Sequence, residues 1–405
     1  MPLRHYVVMD WTSRFAERAR NRGGAELAAI LSGPGPGVLA MTGGFPNVAT
    51  FQTEVLRDVA ARVIASDPGV ALQYGPSAGL PSTRAYLRSR VLATQGVEPA
   101  EDELIVTSGG MECIDLLCRT MLEPGDGVAI EAPTYLGAIL AFAGYQADVT
   151  GVPMDEQGML VDELEARFAR GYRPKFVYVI PEYQNPSGRT LSLERRRALI
   201  EACRTYGVLI FEDVAYRELS FDGTALPSLW SLGPDVVLQA GTFSKVFSPG
   251  FRMGWALGPA ALVAPLADAK QNTDQCAGAL GQRMVEEYGR AGHFDAGVAR
   301  AQALYASHWA ALSASLSAHM PDGVAWSEPT GGMFTWLSVP EGLDVLELRA
   351  AATDARVAYV PGGAFYVGDA GHREMRLSYS SLTEDELDEA GRRLAGVIAS
   401  ALALT

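Results

Sequence analysis

The sequence predicts an α/β protein whose mostly parallel sheet is covered on both faces by helices. Two observations predict it. From about Glu103 to Trp255, short apolar runs alternate with amphipathic stretches, the pattern of repeated strand–helix–strand units. Several of those runs are too continuously apolar for a strand with one wet face, so both faces are expected to be buried.

The elements follow in chain order. The first forty-odd residues hold a short helical stretch, then GPGPG at Gly33–Gly37 and GGFP at Gly43–Pro46, and read as an arm over residues 1–46. Strands are expected at LIVTS (Leu104–Ser108), GVAIEA (Gly127–Ala132), KFVYVI (Lys175–Ile180), GVLIFED (Gly207–Asp213) and VVLQAG (Val236–Gly241), with helices such as Met111–Leu122 and Leu193–Tyr206 between them. After about Arg290 the texture changes to a long helical stretch, Ala291 to Ala318, followed by short strands at VAWSE, GMFTWL, VAYVP and EMRLSY. A last helix opens with a capping-box pattern, Thr383 to Glu386, and carries Leu387, Leu394 and Ile398 on one face. This organisation predicts a large domain over residues 47–290 and a smaller α+β domain over 291–405, with the arm packing near the latter.

Composition narrows the function. A chain of 405 residues with 48% hydrophobic content has ample material for a buried core. Its formal charge of −14 argues against nucleic acid or an anionic membrane as partner. No signal-peptide core and no run near the roughly 18 apolar residues of a membrane span is visible, so a cytoplasmic location is expected. Neither the four cysteines nor the five histidines are spaced as metal ligands, so no metal is expected.

Lysine is scarce: Lys175, Lys245 and Lys270 stand against 30 arginines. Arginine does not lose its proton at physiological pH, whereas a lysine amine can. Lys245 lies in TFSKVFSPGFRMGW, flanked by hydroxyls, with Arg252 seven residues on. That arrangement suits a Schiff base to an aldehyde cofactor carrying a phosphate, although Ser-Lys before a turn also describes a surface lysine.

In an open α/β sheet, ligands sit beyond the carboxyl ends of the parallel strands, and five predicted strand ends carry suggestive groups. Gly109, Gly110 and Met111 lead from a strand into a helix whose free N–H groups suit a phosphate, or simply make a turn. Tyr135 in APTY is placed to stack on a planar ring or to fill the core. Asn185 in PEYQNPSG is a donor to a ring oxygen, with Pro186 and Gly188 shaping the loop. Asp213, followed by Tyr216, is either a helix N-cap or the partner of a protonated ring nitrogen. Thr242, Ser244 and Lys245 follow the last strand, with Arg252 placed to fix a phosphate.

Taken together, YGPSAG (Tyr74–Gly79), NPSG (Asn185–Gly188), DVAY (Asp213–Tyr216), SKVFSPGFRMGW and RLSYS (Arg376–Ser380) resemble the class I/II aminotransferases of pyridoxal-phosphate fold type I. The resemblance runs from about Ala40 to the C-terminus. EAPTYLGAI, EDVAYREL and VPGGAFY resemble in particular the branch holding 2-aminoadipate and kynurenine aminotransferases. It implies a large domain with a mostly parallel seven-stranded sheet and pyridoxal 5'-phosphate as cofactor. It also implies an L-α-amino acid and a 2-oxo acid, 2-oxoglutarate above all, as substrates of a ping-pong reaction, and a homodimer with shared sites.

The family pattern implies roles for residues. Lys245 carries the cofactor as a Schiff base, Asp213 pairs with the ring nitrogen, Asn185 and Tyr216 bond the ring hydroxyl, and Tyr135 stacks on the ring. Ser244, Arg252 and the backbone of Gly109, Gly110 and Met111 hold the phosphate, with Tyr74 supplied by the partner subunit. Arg376 clamps the substrate carboxylate, helped by Asn185 and the backbone at Gly44. Family members often carry Ser-Gln where this chain has Gly110-Met111, which implies a loss of about 1–3 kcal/mol for each hydrogen bond removed from a charged group.

The side-chain pocket is less defined. Arg20 and Arg22 in the arm are candidates for a second carboxylate or ordinary surface arginines, and Trp11, Phe45 and Phe365 are candidates for apolar side chains. Other reactions on the same cofactor, such as decarboxylation, elimination, racemisation or oxidation, share this residue set. A regulator with an aminotransferase-like domain lacks a basic helix-turn-helix segment here.

Overall fold

The computed structural model describes residues 9–20 and 35–404. Its large sheet has eight strands: β2 (Leu104–Thr107), β3 (Gly127–Ala132), β4 (Asp148–Asp155), β5 (Gly158–Met159), β6 (Phe176–Val179), β7 (Leu209–Asp213), β8 (Val237–Thr242) and β9 (Gly254–Leu257). Their order across the sheet is β2-β9-β8-β7-β6-β3-β4-β5. The pairs β4/β3, β3/β6, β6/β7 and β7/β8 are parallel, and β9 runs antiparallel to both β8 and β2.

The expected seven strands thus become eight. The extra strand is the two-residue β5, which folds back on the end of β4 with Asp155 opposite Gly158. Gly158 makes the turn at φ +95°, and a Cβ there would meet the Cα of Leu191 at 3.0 Å.

Alternation along the strands fills two cores. Phe176, Tyr178 and Phe211 belong to one, and Val177, Val179 and Ile210 to the other, as successive side chains of a strand point to opposite faces. Every residue of β2 and β6 is buried, which is why these runs show no polar face. Helices cover both sides. Leu193–Tyr206 starts at Ser192, whose Oγ accepts from the Arg195 N–H, and ends at Gly207 in the left-handed region.

The C-terminal residues form a second, antiparallel sheet, in the order β10 (Ala325–Trp326), β11 (Phe334–Ser338), β14 (Glu374–Ser378) and β13 (Val360–Pro361). The helices His293–His319 and Glu384–Leu402 pack along each other, and Gly391 lets them approach, since a Cβ there would lie 2.6 Å from Ser315 Oγ. Thr383 and Glu386 form the capping box expected of them. The short strand β1 (Leu39–Ala40) pairs in parallel with β12 (Val357–Ala358), and Met41 accepts from the Ser378 N–H. Residues 39–45 are thereby laid across the gap between the two sheets, where Arg376 projects.

Candidate active site

A cavity of about 260 Å³ opens at the carboxyl ends of the parallel strands. Its walls include Gly44 and Phe45 from the N-terminal segment, Tyr135 after β3, Asn185 after β6, Asp213 at the end of β7, Lys245 after β8, and Arg376 on β14. The parallel register, with Tyr178 beside Phe211 and Asp213 beside Ala240, brings these strand ends to a common level.

Lys245 holds its amine inside this cavity, donating to the carbonyl of Gly44 at 2.7 Å and lying 5.8 Å from the centre of the Tyr216 ring. Burial lowers its pKa to about 8, the positive charge of Arg376 adds to the shift, and Asp213 opposes it. The amine is therefore partly neutral at physiological pH. Asp213 Oδ2 accepts from the Tyr178 hydroxyl at 2.9 Å, and Oδ1 from the Ala215 N–H at 3.2 Å. Burial raises the carboxyl's pKa, while those two bonds and Lys245 pull it back.

At one end of the cavity the helix Gly110–Met121 begins, and Gly110 and Met111 line the wall. Gly109, at φ +92°, packs under the Arg252 guanidinium; a Cβ there would lie 2.6 Å from a guanidinium nitrogen. Arg252 is itself in the left-handed region at φ +51°, a strained conformation for a non-glycine residue. Among the described residues it donates to carbonyls, of Pro249 at 3.3 Å and Ser108 at 3.5 Å. Beside it Ser244 Oγ accepts from Thr242 Oγ1 at 3.0 Å.

At the other end Arg376 is buried between two rings, 4.4 Å from the centre of Phe334 and 4.9 Å from that of Phe365. It donates to Asn185 Oδ1 at 2.8 Å and to the Thr42 carbonyl at 2.6 Å, and among the described residues its Nε has no partner. Burial lowers its pKa to about 10, which leaves it cationic at neutral pH. A buried cation without a carboxylate partner is costly unless an anion completes it.

The structure brings most of the predicted residues together. Asn185 Nδ2 donates to the Tyr216 hydroxyl at 3.4 Å, and the Tyr135 hydroxyl lies 3.7 Å from Met111 Sδ. Burial raises the pKa of both tyrosines, so their hydroxyls stay protonated. Gly109 sits behind Arg252 rather than in the wall. Gly44 holds Lys245, and the carbonyl on Arg376 belongs to Thr42. Tyr74 is 79% exposed and lies outside the cavity. Arg20 closes the helix Glu17–Arg20, but its side chain and all of Arg22 lie outside the described residues. Trp11 is exposed, Phe45 lines the cavity, and Phe365 is buried against Arg376.

Sequence reasoning missed Tyr178, Thr42 and Phe334. A signal existed for Tyr178: a tyrosine inside an apolar buried strand needs a partner for its hydroxyl, and Asp213 ends the neighbouring strand.

The chain matches the family "Aminotransferase class I and II" over residues 43–394. It is 33% identical over 397 residues to aromatic-amino-acid aminotransferase 1 of Thermococcus litoralis, covering 96% of this chain and 95% of that protein. The multiple substrate aminotransferase of Thermococcus profundus superposes with a TM-score of 0.94 at 34% identity, covering 98% of this chain and 100% of that one. LysN, the α-aminoadipate aminotransferase of Thermus thermophilus in complex with N-(5'-phosphopyridoxyl)-L-leucine, superposes with a TM-score of 0.91 at 34% identity, covering 98% and 100%.

The cavity fits a phosphorylated pyridine aldehyde by its own chemistry. It holds an amine of lowered pKa, a sheltered carboxyl within the same walls, and two guanidinium groups whose protein partners are carbonyl and amide oxygens. Family match, overall superposition and site chemistry agree: the chain belongs to the class I and II aminotransferases, and pyridoxal phosphate is its cofactor.

Proposed function

We propose that this aminotransferase moves the amino group of an L-α-amino acid to a 2-oxo acid, with 2-oxoglutarate as acceptor, through Lys245 and by a ping-pong sequence. The observation that carries the proposal is the position of Lys245: an amine with a pKa near 8 shares one cavity with Asp213, Arg252 and Arg376. Bound pyridoxal phosphate supplies the electron sink into which the bonds of the substrate's α-carbon are broken.

The chain's own residues do the rest. Arg376 orients the α-carboxylate common to every amino and 2-oxo acid, and its place between Phe334 and Phe365 keeps the guanidinium from swinging away. Lys245, once its amine is free, takes the proton from the substrate's α-carbon; a pKa near working pH suits a group that must both accept and return a proton. Asp213, held by Tyr178, is the partner for the ring nitrogen, and Asn185 with Tyr216 forms a donor pair for the ring oxygen. Ser244, Arg252 and the first N–H groups of the helix Gly110–Met121 take the phosphate. Tyr74, exposed on a single subunit, is assigned to the partner's site in a cytoplasmic homodimer.

The test is the visible spectrum of the purified protein during addition of amino acids one at a time. Loss of the cofactor's Schiff-base band with particular amino acids, together with one equivalent of 2-oxo acid, is the expected result. Carbon dioxide or ammonia released in place of the oxo acid would reject transamination by these residues.

A further inference from the structure

Lys270 is fully buried, yet no step above uses it. It projects from the helix Ala260–Gln271 and donates to both oxygens of Glu112, at 2.9 and 2.8 Å, and to both oxygens of Asp274, at 2.8 and 2.7 Å. Glu112 stands in the first turn of the helix Gly110–Met121 and also accepts the Ser108 N–H at 2.5 Å. Asp274 accepts the Ser108 hydroxyl at 2.7 Å. Both side bonds therefore end on Ser108, whose carbonyl faces Arg252 and whose neighbour Gly109 supports the Arg252 guanidinium. The cluster is a brace behind one end of the cavity.

Its charge bears on the same place. A helix N-terminus favours anions, but each fixed carboxylate in the first turn competes with an incoming one. With Lys270 present, Glu112 and Asp274 are clamped and half neutralised. Without it, two carboxylates stand beside the segment that meets the phosphate. Residues 110 and 111 are Gly and Met, so no side-chain hydroxyl or amide at those positions is available to offset the loss.

We propose that Lys270 is a positioning residue for the cofactor phosphate: it clamps Glu112 and Asp274, fixes Ser108 and Gly109 against Arg252, and cancels carboxylate charge at the start of the phosphate-facing helix. The proposal rests on the assignment of the phosphate to Arg252 and that helix.

The test uses the full chain stripped of cofactor and compares binding of pyridoxal phosphate with binding of pyridoxal, which lacks the phosphate. K270M is expected to weaken pyridoxal phosphate at least tenfold while pyridoxal binding stays within about twofold of wild type. Equal losses for both ligands, or no loss for either, would overturn the proposal, because a merely structural lysine does not distinguish them. Should circular dichroism show K270M unfolded, S108A, which removes only the hydroxyl bond to Asp274, is expected to weaken pyridoxal phosphate about threefold and leave pyridoxal unchanged; an S108A that binds both like wild type overturns the proposal. A wild type that fails to prefer the phosphorylated ligand overturns the phosphate assignment and this inference with it, whereas a preference undiminished from wild type in a folded K270M overturns the inference alone.

Discussion

Burial does opposite things to two neighbouring groups in the cavity, lowering the pKa of Lys245 to about 8 and raising that of Asp213. The amine is charged below that value and neutral above it, and only the neutral form attacks an aldehyde. Capture of pyridoxal phosphate by cofactor-free protein should therefore rise with pH, reach half its maximum near pH 8 and level off by about pH 9.5, where an ordinary lysine would still be climbing toward 10.4; stopped-flow absorbance across pH measures this. Asp213→Asn keeps the shape of the side chain but not its charge, and should lower turnover by about a hundredfold or more with a smaller loss in cofactor affinity. The residues that made this site legible were those at strand ends, Asp213 and Lys245 foremost. The contacts that escaped notice join distant parts of the chain: Thr42 to Arg376 and Phe334 to Arg376, where no local spacing announces the pairing.

Elements follow the same division. Strands β2, β3, β6, β7 and β8 were readable because each is a short, mostly apolar run. Strand β4 was not, because Gly151 and Pro153 interrupt its apolar pattern; it persists through its ladder with β3. Strand β9 was hidden as well, being four residues separated by three others from the Ser248-Pro249-Gly250 turn, and it matters to the site. A Cβ on Gly254 would lie 2.7 Å from the carbonyl oxygen of Gly241 and 2.9 Å from the carbonyl carbon of Gly109. Both are backbone atoms and cannot rotate away. Gly254→Ala should therefore cost about 1–3 kcal/mol of stability and, by displacing Gly109, weaken cofactor retention; thermal melting with and without pyridoxal phosphate separates the two effects.

At the scale of the molecule, the site lies where the large sheet, the antiparallel C-terminal sheet and the segment around residues 39–45 meet, so its geometry depends on all three. Val48 is 76% exposed, and Leu72, two residues before the exposed Tyr74, is 63% exposed. In the proposed homodimer, Leu72→Asp should shift the protein toward monomer in sedimentation velocity and lower activity with it, since Tyr74 would no longer reach the partner's site. A monomeric variant with full activity would exclude a shared site. No helix among the described residues is long and apolar enough to cross a membrane. The scarcity of lysine makes the central role of Lys245 directly measurable. The holoprotein is reduced with borohydride, digested, and its peptides are mapped by mass spectrometry. The phosphopyridoxyl group is expected on the peptide containing Lys245 and nowhere else; the same group on Lys175 or Lys270, or an unmodified Lys245, would contradict that role.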